Sequence, residues 1–80
     1  MKGFPTGTVS LDPVERNRRR SELAESILKS FQRKTGVDRE DLLGDLLANL
    51  MHWCDGYGFK FDDELRRGRM HYECEAAGEL

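Results

Sequence analysis

The sequence predicts a small all-α domain of three helices with an irregular N-terminal arm. Two observations carry that reading. Apolar residues recur in adjacent pairs between positions 42 and 54, and helix starts and glycine stops divide the chain after residue 11 into three segments.

The middle segment organises the rest. Leu42/Leu43, Leu46/Leu47, Leu50/Met51 and Trp53/Cys54 cover about half the circumference of a helix at ~100° per residue. A surface helix needs only a stripe ~100° wide. This helix is therefore expected to have packing partners on two sides. Its remaining face carries Gly44, Asp45, Ala48, Asn49, His52 and Asp55, and should meet water or a partner.

The first helix opens at Asp12-Pro13-Val14-Glu15. Asp12 can cap, Pro13 suits the first helical position and Glu15 sits third, as in a capping box. The helix should run over 13–35, with Gly36 as its left-handed stop. Its apolar stripe is Leu23, Ala24, Ile27, Leu28 and Phe31. Upstream the same face carries Arg16, Asn17 and Arg20. The first two turns therefore either overhang the core or reach a partner.

The second helix should span 39–55. Asp38 is the expected cap, Val37 and Leu42 can form a hydrophobic staple, and Glu40 and Asp41 suit the positive end of the helix dipole. Gly56-Tyr57-Gly58 should end it. Phe59 and Phe61 are expected to plug the gap between helices. A third helix over 62–77, capped by Asp62 or Asp63, should end before Gly78. Leu65, Gly68, Arg69, Tyr72 and Ala76 share a face, with Gly68 marking close approach of another helix. The predicted core is Ile27, Leu28, Phe31, Leu43, Leu46, Leu47, Leu50, Trp53, Phe61 and Leu65. Residues 1–11 read as the arm, with Pro5 between Gly3 and Gly7 and with Phe4, Val9 and Leu11 able to dock. Residues 12–80 read as one helical domain.

Bulk properties narrow the function. Of 80 residues, 35% are charged and 38% apolar, which suits a compact core with a solvated exterior. The net charge of −2 provides no global field for nucleic acid or membrane. Neither a signal-peptide run nor a stretch of ~20 apolar residues occurs, so the expected location is the cytoplasm. Two cysteines are too few for a disulfide framework. A chain this short is marginal alone, and homodimerisation is one route to stability.

His52, Cys54, His71 and Cys74 invite a zinc reading. Helix geometry opposes it. Residues two apart point to nearly opposite sides, so His52 and Cys54 cannot converge on a continuous helix. Cys54 should be a buried thiol, Cys74 an exposed one, and both histidines should lie on the surface. No metal or cofactor is expected. Asp38, Glu40, Asp41, Asp62, Asp63 and Glu64 lie where helix starts favour acids. No nucleophile has a convincing base and orienter, and no glycine loop fits a phosphate. The chain therefore does not read as an enzyme.

Arg16, Arg18, Arg19 and Arg20 are the strongest functional hint. They point all around the helix and sit at the wrong end of its dipole. Glu15 and Glu22 can each pair with an arginine four residues away. Beyond that, contact with phosphates or with an acidic protein surface would explain them.

The block Leu46-Leu47-Ala48-Asn49-Leu50-Met51-His52-Trp53-Cys54-Asp55, with Gly58-Phe59-Lys60-Phe61-Asp62 and Arg69-Met70-His71-Tyr72-Glu73, resembles a group of small uncharacterised bacterial proteins found in proteobacterial genomes, plasmids and phages. The resemblance covers roughly residues 40–75. It implies an accessory or mobile-element context and supplies no activity. The expected function is therefore an accessory or regulatory protein that binds another protein, for example an inhibitor of a host defence system. Arg16, Arg18, Arg19, Arg20, Asp45, Asn49 and His52 are the expected contact residues. The alternative is a nucleic-acid-binding accessory protein that uses the four arginines.

Overall fold

The computed structural model describes residues 12–78. They form three helices, α1 (Pro13–Thr35), α2 (Arg39–Tyr57) and α3 (Phe61–Ala76), with no strand among the described residues. The fold is all-α. The N-terminal arm at 1–11 lies outside the described residues.

Local chemistry sets the helix bounds. The Asp12 carboxylate accepts the Glu15 N–H at 2.8 Å, and Pro13 follows it at the first helical position. Gly36, at φ 72°, stops α1, and its N–H returns to the Gln32 carbonyl at 2.7 Å. The Gln32 side chain donates to the Val37 carbonyl at 3.1 Å and ties the short turn to the helix. Asp38 occupies the N-cap of α2 without a side-chain capping bond. Arg39 and Leu42 then begin the packing against α1, close to Glu25 and Leu28.

Two bounds differ from the sequence reading. α2 passes through Gly56 and stops at Gly58, the glycine with a left-handed backbone at φ 82°. Gly56 keeps helical geometry because a stop needs only one residue of positive φ. α3 begins at Phe61 with Lys60 as its N-cap, and Asp62, Asp63 and Glu64 fill its first turn. There the acids complement the helix dipole rather than cap it.

The larger difference is the core. Leu42 and Cys54 alone are buried among the described residues, at 6% and 5% exposure. Leu46, Leu28, Phe31 and Phe61 are half-buried. Ile27 and Leu43 are 61% and 59% exposed, and Leu47, Leu50, Trp53 and Leu65 are also exposed. Gly68 has nothing within 4 Å of a built Cβ, so no helix approaches it.

The reason lies in how the helices meet. Residues 21–24 of α1, 47–53 of α2 and 65–73 of α3 are exposed without exception. Partial burial falls instead on 15–17, 20, 25, 28 and 30–32 of α1, on 61, 63 and 64 at the start of α3, and on 74, 75 and 78 at its end. The last residues of α3 return to the first turn of α1, where a Cβ on Gly78 would lie 3.2 Å from Pro13 Cγ. The helices thus touch mostly toward their ends, with Leu46 half-buried between, and the stretches 47–53 and 65–73 face outward all round.

Leu42 is therefore expected to dominate the stability of the protomer. Leu42→Ala should cost ~2–5 kcal/mol in a urea melt, the range for a buried leucine. A cost below ~0.5 kcal/mol would show that the α1–α2 corner does not hold the fold.

Candidate protein-binding surfaces

The arginine segment lies on the first two turns of α1, and the structure divides its members. Arg18 and Arg19 are exposed, while Arg16 and Arg20 are half-buried. Arg18 lies between two carboxylates. It forms a short ion pair with Glu15 and meets Glu22 at 2.5 Å. The hydrogen bond and charge of Glu15, followed by the charge of Glu22, hold its guanidinium above its ordinary value. Arg19 reaches Glu15 at 3.7 Å. Both predicted four-residue pairs are present.

Arg20 belongs to a contact between helices. Its Nε lies 3.4 Å from a Glu75 carboxylate oxygen, and its Nη1 donates to Asn17 Oδ1 at 2.8 Å. Asn17 Nδ2 donates to the Glu75 carbonyl at 2.9 Å. The contact forms part of a surface groove of about 470 Å³ that also includes Ser21, Tyr72 and Ala76. The partner that the first turns of α1 reach is therefore α3 of the same chain, and these turns do not project as a free overhang. The Asn17–carbonyl bond and the Arg20–Glu75 pair satisfy polar groups that would otherwise compete with packing at this corner.

These pairings change the electrostatic reading. Residues 12–23 carry four arginines against Asp12, Glu15 and Glu22, a formal balance of 4 − 3 = +1. A phosphate approaching Arg18 or Arg20 would compete with a carboxylate already in contact.

Asp45, Asn49 and His52 follow one another at i, i+4 and i+7 on the polar side of α2, and all three are exposed. They share no site with the arginines. Cys54 is buried as expected, and Cys74 is half-buried rather than exposed. Both histidines are exposed. Among the described residues no three His, Cys, Asp or Glu side chains group as metal ligands.

The most organised exposed feature is aromatic. Trp53 stacks on Tyr57, with ring centroids 4.8 Å apart and planes at 27°. It also stacks on Phe59, at 5.1 Å and 19°. Trp53 and Tyr57 are four residues apart, one turn along the same side of α2. The left-handed Gly58 then turns the chain so that the Phe59 N–H bonds the Cys54 carbonyl at 2.9 Å. That bond brings Phe59 back over Trp53. All three rings are about half exposed or more, so Phe59 does not plug an inter-helix gap. The sequence held the signals for this cluster: the i, i+4 spacing of two aromatics and a glycine stop one residue before a third. Reading Trp53 as core concealed it.

Comparison with protein-family models, with curated proteins and with solved structures finds no match. No helix among the described residues is long and apolar enough to cross a membrane.

The arginines should separate in stability measurements. Arg18→Gln with Arg19→Gln should leave the urea midpoint nearly unchanged, as for exposed ion pairs. Asn17→Ala should cost about 0.5–1.5 kcal/mol for its lost hydrogen bond. A larger loss from the Arg18/Arg19 pair than from Asn17 would invert this assignment.

Proposed function

We propose that the chain is a small accessory or regulatory protein that binds another protein through the aromatic tip of α2. The observation that supports this is the Tyr57–Trp53–Phe59 stack. Tyrosine and tryptophan are enriched among the few residues that dominate binding energy. Each offers a large apolar area with little side-chain freedom to lose. Here the rings are pre-stacked on a helix end, so binding orders them little further. The fitting partner is a protein surface with an apolar groove. The polar row Asp45, Asn49 and His52 on α2 would form the rim.

The role is non-enzymatic and needs no cofactor. Two free thiols favour the cytoplasm. The mobile-element context, including inhibition of a host defence system, is drawn from the resemblance of residues 40–75. Arg18 and Arg19, the exposed arginines, would steer an acidic partner rather than anchor it. A second copy of the chain on the middle of α2 would leave the aromatic tip available.

Tyr57→Ala and Phe59→Ala should each abolish capture of a partner from a bacterial lysate while the far-ultraviolet circular dichroism stays helical. For an identified partner, each should weaken binding about 30-fold, the effect of losing ~2 kcal/mol. Binding that survives both substitutions sinks the aromatic reading. Capture of DNA or RNA with a steep loss on adding salt would favour the arginine alternative.

A further inference from the structure

We infer that the middle of α2 is the contact face of a homodimer, covered by α2 of a second copy. Leu43, Leu47 and Met51 lie at i, i+4 and i+8 and form one ridge; Leu50 lies beside it. Their exposures are 59%, 39%, 49% and 42%. No charged residue occupies positions 46–54. Gly44 borders the ridge, and a Cβ built there meets nothing within 4 Å. A glycine inside a helix is unfavourable, and within this protomer no neighbour requires it. A helix approaching from outside the protomer would use the space.

Three arguments select a second copy. First, helices draw most of their stability from packing of an apolar face. This chain leaves residues 47–53 of α2 exposed without exception, so the cover must be present whenever the chain is folded. Second, the face is self-complementary. Ridges of residues four apart interdigitate with their like at about −50°. A two-fold axis at Leu47 would pair Leu43 of one copy with Met51 of the other, as an isologous contact requires. No like charges would meet. Third, the ridge suits the apolar centre of an interface. Four aliphatic side chains, each about half exposed, contribute on the order of 200 Å² per protomer. A standard interface buries about 800 Å² per partner, some two-thirds of it apolar in homodimers. Exposed residues beside the ridge, Gly44 and Ala48 among them, would have to complete it.

This inference rests on other residues than the aromatic-tip reading: Leu43 and Leu47 lie more than a turn before Trp53, and Leu50 and Met51 lie within the turn that precedes it. The full chain should sediment at twice 9.2 kDa, and its melting temperature should fall on dilution. Leu47→Lys with Met51→Lys should convert it to a monomer and remove the concentration dependence. As a milder probe, Leu47→Cys should give an oxidised chain-to-chain link much faster than Ser26→Cys on exposed α1. A parent chain that is monomeric, with a melting temperature independent of concentration, overturns the inference. So does a dimer that survives the double lysine change, or equal cross-linking at positions 26 and 47.

Discussion

A helix in water is held mainly by whatever covers its apolar side, and in this chain the cover is applied at the helix ends. α1 meets α2 around Leu28 and Leu42, and α3 closes back onto the start of α1 through Asn17, Arg20 and Glu75. Along 47–53 of α2 and 65–73 of α3, side chains of every character point outward. The band of apolar residues on α2 is about half a turn wide. Two neighbours that touch only its ends cannot enclose it. The exposure of Leu43, Leu47 and Met51, the open space at Gly44 and the accessible aromatic tip all follow from this one constraint.

Much of the fold was legible because helix ends are local events. Asp12, Pro13 and Gly36 act within a few residues of themselves, and α1 spans the predicted 13–35. The misplaced stop at Gly56 arose because two glycines were available, and sequence alone does not show which takes positive φ. The core was less legible. Periodicity names the face of a helix that wants cover, but it carries no information about how much cover the neighbouring helices supply. The pattern placed Leu47 in the core and passed over Leu42, and both fell the other way. One is exposed and the other buried because Leu42 lies at a corner and Leu47 does not.

The arginine segment shows the same limit in electrostatics. Its local part, the pairing of Glu15 and Glu22 with Arg18 and Arg19, was readable from four-residue spacing. Its distant part was not. Glu75 lies 55 residues beyond Arg20, and only the return of α3 to α1 brings them together. Asn17 shares that contact, which explains why polar residues continue the apolar face of α1 toward its start. What the sequence suggests as a free cationic cluster becomes two populations. One fastens the fold, and the other is screened by neighbouring acids at the surface.

The placement of apolar groups along α2 then separates the two roles proposed for one helix. The midsection offers flexible aliphatic side chains around Gly44 and Ala48, which suit close, self-matched packing of one helix on another. The tip offers three rings fixed by stacking and by the Phe59–Cys54 backbone bond, which suits recognition with little ordering cost. Gly58 supports the second role directly, since only a left-handed stop there returns Phe59 to Trp53. Two α2 helices crossing near Leu47 in antiparallel fashion would carry their tips to opposite ends of the pair. Such a dimer would present two equivalent aromatic surfaces, and binding to a repeated partner would gain from their linkage without any new contact.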